Sequence, residues 1–424
     1  MTQARDMPRL VVEVAFTSGA NLGTALHLDD AARGRLGTGT LAASDTWVEV
    51  SAGIRVPSIT TRRGSTRVES PLVRYEAGTA TVVLDDPDRR FDPTNTSGPY
   101  VSGGRSQVTP MRAVRVRAVW DGVAYPLFRG FADSWDLDWG PTTATVTVPC
   151  TDAFKALAAK RRGEGVPVGA GETVEARIHR ILDSAGWPAE DRLIGTGSTT
   201  LQATALEGDP LAELQLTADT EIGELYADAE GRVRFRGRMA LLTDARSATS
   251  QATFGSTPGV IELPISTDDA QLYNEVKITR VDGVEQIATD PGSMDEFLPH
   301  TFERSDLLMQ TDAEAADYAA WILYISAEPE ARFDKIVIYP RRNPAVLWPQ
   351  VLGREIGDRI TGVRVPPTGG SPVIRDSFIR GIEHEIEGQR WKTTWYLQSA
   401  TKISSFLTFD NPVTGRLDFN ALAY

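Results

Sequence analysis

Apolar Val114, Val116 and Ala118 alternate with Arg115 and Arg117, the period-two pattern of a strand with one buried face. Related runs occupy Leu10–Phe16, Trp47–Ser51, Gly78–Leu84 and Thr143–Val148. Asp121-Gly122 sets a tight turn between Trp120 and Tyr125. A long loop spans Asp85–Pro110, rich in proline, glycine and serine, and loops of that length are commonly interfacial. This first, strand-rich stretch closes in a short helix over Thr151–Lys160, with Phe154 and Leu157 on one face.

The period changes after the glycine-rich linker Gly163–Gly171. Val174, Ile178, Ile181, Leu182 and Ala185 form one helical stripe, and Gly186 stops it. Asp209-Pro210 is an N-cap followed by proline at the first helical position. A hairpin follows, Glu224–Asp228 and Val233–Arg236. Strands return at Tyr273–Val281, Lys335–Tyr339, Asp376–Glu387 and Thr393–Gln398. A helix with the capping box Thr311-Asp-Ala-Glu314 interrupts them. Phe409, Leu417, Phe419 and Leu422 make the C-terminal stretch apolar enough to dock.

The first and third stretches share a pattern. Phe128-Arg-Gly-Phe131 and Ile379-Arg-Gly-Ile382 each place an Arg-Gly pair inside a strand. A strand precedes each, and another follows after a polar turn. Glycine inside a strand marks a bulge or a close backbone approach, so Gly130 and Gly381 are expected bulge positions. The expected architecture is mainly β with an α/β insert: two tube-like β-barrel domains flanking a small α/β domain. The boundaries are residues 1–170 (first barrel), 171–260 (α/β), 261–405 (second barrel, with one helix) and 406–424 (docking tail).

Charge sharpens this picture. The 424 residues carry a net −13, distributed as +2 over residues 1–170, −6 over 171–260 and −9 over 261–424. An acidic surface repels phosphate and argues against ordinary nucleic-acid binding. Cys150 is the single cysteine, which precludes an intrachain disulfide. No secretory leader and no membrane span is expected, and the chain is expected to fold in a reducing cytoplasm.

The order of several motifs resembles that of minor tail proteins from phages of actinobacteria. These are Trp47-Val-Glu-Val-Ser51, Ile59-Thr-Thr-Arg-Arg-Gly64, Gly78–Pro93 with its Asp85-Asp-Pro-Asp-Arg-Arg-Phe-Asp92 core, and Val148-Pro-Cys-Thr-Asp152. Ile356-Gly-Asp-Arg-Ile360, Ile379–His384 and Trp391-Lys-Thr-Thr394 extend the pattern. The family resembles the central hubs of contractile-phage baseplates and the N-terminal part of tail-associated lysins. The resemblance implies a structural, non-enzymatic tail-tip hub of a long-tailed phage: a homotrimer joining a six-fold tube to a three-fold tip and forming the DNA exit channel. Its implied partners are the distal tail or tube protein, the tape measure, and tip or receptor-binding proteins. Viral DNA is met only in transit. The implied location is the virion tail tip, after assembly in the host cytoplasm. The chain's end soon after the second barrel carries no implication of a hydrolase domain.

Candidate chemistry is sparse. His27, His179, His300 and His384 fall in no metal-binding spacing, and neither Gly-x-Ser-x-Gly nor a P-loop occurs. Asp85, Asp86, Asp88 and Asp92 cluster, but Arg89 and Arg90 lie among them and the calcium-loop pattern is missing. No catalytic residue, metal or cofactor is expected. Phe91 and Tyr100 in the long loop are expected at a subunit interface, because a free loop would leave both in water. The competing readings are a carbohydrate-binding receptor module and a tail-associated cell-wall hydrolase.

Overall fold

The computed structural model describes residues 6–19, 46–68, 70–163, 165–255 and 260–406. His27, the glycine-rich turns near Gly23 and Gly34–Gly39, and the docking tail beyond Phe406 lie outside the described residues.

The first half of the chain holds β1 (Arg9–Gly19), β2 (Ser58–Gly64), β3 (Glu76–Asp85), β4 (Arg112–Trp120), β5 (Val123–Ala132), β6 (Asp136–Trp139) and β7 (Ala144–Thr151). Alternation drives them: in β4, Ala113, Val114, Val116 and Ala118 are buried while the arginines are half-buried. Asp152 then caps α1 (Ala153–Ala159), accepting from Phe154 N at 2.9 Å and Gly78 N at 2.6 Å. Burial raises its carboxyl to about 7, against those two hydrogen bonds.

The α/β unit contains α2 (Val174–Ala185), α3 (Pro210–Glu221), β8 (Glu224–Ala227) and β9 (Val233–Arg236). Gly186 ends α2 in the left-handed region at φ 70°, as its position in the sequence requires. Phe154 and Leu157 of α1 pack into this unit's core with Ile178, Leu214 and Phe235, and Ala77 and Phe131 of the β layer pack against the same cluster, so α1 joins the two.

The second half contains β10 (Thr253–Phe254), β11 (Val260–Glu262) and β12 (Ile265–Ser266). A small three-stranded unit comes next: β13 (Glu275–Arg280), β14 (Gln286–Thr289) and β15 (Thr301–Leu307), covered by α4 (Asp312–Ser326). The predicted capping box is formed at Thr311 and Glu314. The chain returns through β16 (Lys335–Ile338), α5 (Pro344–Gly353), β17 (Arg359–Arg364), β18 (Val373–Glu387) and β19 (Arg390–Ser399).

The fold is mainly β, but two separate barrels are not what forms. Among the described residues both halves share one open 14-stranded sheet, with β2 of the first half pairing β18 of the second. β2 is polar and satisfies ladder hydrogen bonds on both edges, which welds the halves edge to edge. Trp348 of α5 bridges the two halves. Its ring lies 5.8 Å from that of Trp120 in the first half and 4.8 Å from that of Trp391 in the second.

The halves repeat one topology. In the first, neighbouring strands run β1-β4-β5-β7-β3-β2; in the second they run β10-β17-β18-β19-β16-β11. The six strands occur in corresponding order along the chain. Ala132 pairs Cys150 and Asp138 pairs Thr145; Ile379 pairs Leu397 and Glu385 pairs Lys392, each partner lying 247 residues further on. One connection differs: β1 runs antiparallel to β4, whereas β10 runs parallel to β17.

Candidate assembly interface

The weld is built from glycines and buried charge. Gly64 pairs Gly381 in the β2–β18 ladder, followed by Arg63 with Ile382, Arg62 with Glu383, and on to Ser58 with Glu387. A Cβ on Gly381 would lie 2.2 Å from the Ser65 carbonyl oxygen, and one on Gly130 would lie 2.4 Å from that of Thr151. Both glycines thus permit a close backbone approach. The register shift in β18 falls between Ile379 and Gly381. In β5 it falls opposite the Val116/Arg117 step, at Leu127, while Gly130 pairs Val114 in regular register. The two Arg-Gly pairs lie on equivalent strands but four residues out of step. The 247-residue spacing sets Gly130 opposite Ser377 and Gly381 opposite Ser134.

Arg380 is fully buried beside the weld. Its guanidinium pairs with Glu224 of β8, and its Nε donates to Gln398 Oε1 at 2.7 Å. Glu224 also accepts from Arg236 Nη1 at 3.1 Å, so one carboxylate of the α/β unit holds two buried arginines. Arg63 donates to Glu355 Oε1 at 2.7 Å and to the Leu127 carbonyl at 3.1 Å. Burial would raise the Glu355 carboxyl, but Arg63, with the Ile356 N–H and Arg234, holds it below its usual range. An open cleft of about 630 Å³ lies beside this network. Of the six arginines on its wall, Arg63, Arg232, Arg236, Arg246 and Arg354 are each paired with a carboxylate.

Phe91 and Tyr100 are not a free surface. Phe91 is fully buried, 5.5 Å from the Tyr100 ring and 5.8 Å from the Trp135 ring, and Tyr100 stacks on Phe16 at 4.0 Å. The loop folds back onto its own core, which removes the reason for expecting these two at an interface. Its acids are turn caps: Asp86 accepts from Arg90 N and Phe91 N, and Asp92 from Thr94 N. Among the described residues no group of three or more His, Cys, Asp or Glu could hold a metal.

His384 is buried, its Nδ1 2.9 Å from Thr393 Oγ1 and accepting from Trp391 Nε1 at 3.3 Å. Burial, then Arg63, push it down to about 3, so it stays neutral. His179 is exposed on α2. Cys150 is buried, and burial raises its thiol well above the ordinary range.

The face of the sheet opposite the core repeats an acidic pair. Asp136 and Asp138 on β6 are exposed, and Glu383 and Glu385 stand at the equivalent positions on β18, each half-buried. The charge balance along the chain gives no sign of these four positions, which only strand register brings into correspondence.

The fold is similar to those of two solved structures: a tail protein from Neisseria meningitidis MC58 (TM-score 0.54, 12% identity, covering 85% of this chain and 95% of that one), and the 43 kDa tail protein of prophage MuSo2 from Shewanella oneidensis (TM-score 0.53, 13% identity, 92% and 96%). No protein-family model matches the chain, and no curated protein matches it in sequence.

Proposed function

We propose that this protein is a structural subunit of a bacteriophage tail, acting as a homotrimeric hub at the tail tip around a channel for DNA. The carrying observation is the duplicated sheet. Three chains with two like halves present six like units, so a three-fold assembly meets a six-fold tube without symmetry mismatch. The fold shared with the two tail proteins supports the tail assignment. In this reading the face bearing Asp136, Asp138, Glu383 and Glu385 lines the channel. The exposed Asp136 and Asp138 repel phosphate and keep the duplex from releasing counterions onto the wall, while Glu385 is paired with Lys392. The distal tail or tube protein, the tape measure and tip proteins are the partners, and the tail tip of the virion is the location. No residue is assigned to catalysis.

Mass photometry of the purified chain, with a low-resolution map of the particle, tests the hub. A three-fold ring supports it, and a monomeric subunit within an assembled tail refutes it. Replacing the four acids by lysine tests the channel. The expected result is tails that assemble but eject DNA more slowly, with the delay growing at low salt. Unchanged ejection places these acids off the channel.

A further inference from the structure

We propose that the weld inside each chain is repeated between chains, with the β11–β12 segment of one copy pairing antiparallel along β6 of the next. This rests on the ring reading and names the two edges that close it.

The argument is one of equivalence. The internal weld joins β2 to the C-terminal part of β18. The counterpart of that part of β18 in the first half is β6, because Asp136–Trp139 pairs β7 as Glu383–Ile386 pairs β19. The counterpart of β2 in the second half is β11 with its continuation. Ser58 pairs Val83 opposite Thr147, and Glu262 pairs Val337 opposite Thr394, which lies 247 residues beyond Thr147. Counting on from Glu262, Leu263 matches Ile59 and both are buried, and Ile265 matches Thr61.

Among the described residues, the counterparts of the two welded edges are both without a second strand partner. Among the described residues β6 pairs only β7, β11 pairs only β16, and Ile265 and Ser266 pair only Phe333 and Arg332. The surface agrees. Trp139 on β6 is 54% exposed and Ile265 on β12 is 45% exposed. Large apolar side chains on an open sheet edge invite pairing and are normally avoided on a monomer. The internal pairs Ile59 with Ile386, Thr60 with Glu385 and Thr61 with His384 convert to Leu263 with Trp139, Pro264 with Asp138 and Ile265 with Leu137. The contact is head to tail, since the two edges are different surfaces, and repetition of such a contact generates a ring or a helix.

The test is site-directed cross-linking. Residues directly opposite across an antiparallel pair have Cβ atoms about 5 Å apart, within reach of a short bifunctional thiol reagent. Asp138→Cys with Pro264→Cys uses two exposed positions; Leu137→Cys with Ile265→Cys is the second pair. Both double variants, folded by circular dichroism, are expected to give cross-linked dimers and a closed trimer on denaturing gels, with neither single variant giving the trimer. A ring seen by mass photometry whose double variants do not cross-link overturns the seam and leaves the hub standing. A chain that stays monomeric and uncross-linked as concentration rises overturns both.

Discussion

Gly64 and Gly381 face each other across the weld so closely that a Cβ on Gly64 would lie 2.9 Å from the Gly381 Cα and 2.3 Å from the Arg380 carbonyl oxygen. The obstacle in each direction is backbone, which cannot rotate aside. Gly381→Ala is therefore expected to destabilise the chain by about 2 kcal/mol or more, at the upper end of overpacking costs. Gly163→Ala, with open space around it, should change the urea midpoint little. Equal midpoints for the two variants would contradict the close packing of the weld.

Glu224 balances two buried guanidiniums, Arg236 and Arg380. Removing the shared carboxylate leaves charge buried without a counter-ion, a loss of about 3–5 kcal/mol. Glu224→Gln should show it in equilibrium unfolding. Adding Arg380→Met should recover part of the loss, because the orphaned cation goes with it.

Phe91 is a core residue of the isolated chain. Phe91→Ala should cost about 3–5 kcal/mol through the cavity it leaves. The place to measure this is the purified chain before any assembly. A variant as stable as wild type, with a defect only in tail formation, would instead return Phe91 to a subunit interface.

His384 gives a pH dependence of definite sign. Its folded value is about 3, below the ordinary unfolded value near 6.5. Its contribution is therefore complete above about pH 6.5 and is lost as pH falls towards 3, at roughly 1.4 kcal/mol per unit. His384→Gln removes the titration. The stability difference between wild type and variant should shrink from pH 7 to pH 4, read from urea denaturation across that range. A constant difference would mean that the imidazole protonates as readily in the fold as outside it.

Elements with a strong local signal were legible in the sequence. β4 alternates, Gly186 stops α2, Asp209-Pro210 opens α3, and Thr311 with Glu314 caps α4. The strand that decides the architecture was not legible as a strand. Ser58-Ile-Thr-Thr-Arg-Arg-Gly64 has one large apolar side chain, and its partners lie both nearby and more than 300 residues away. Thr61 and Arg63 are buried there even though they are polar, because the ladder and Glu355 supply their environment. The repeat was detected through the Arg-Gly pairs, which prove to be four residues out of step. The better marker is Asp136 and Asp138 against Glu383 and Glu385, which carries weight only once strand register is known. The three-stranded unit of β13–β15 was hidden for another reason: β15 reads Thr-Phe-Glu-Arg-Ser-Asp-Leu, an exposed edge with little apolar signal.

The covalent link between the two halves has a kinetic consequence. A weld within one polypeptide forms at the high effective concentration set by its tether, so it is complete before subunits meet and does not depend on how many are present. Its sequence is also free to diverge from that of any contact between chains. Arginines, glycines and a shared carboxylate can make the tethered weld permanent, while an edge that must find its partner by diffusion can stay short and reversible. Mistakes at the second kind of edge can then be undone without unfolding the first.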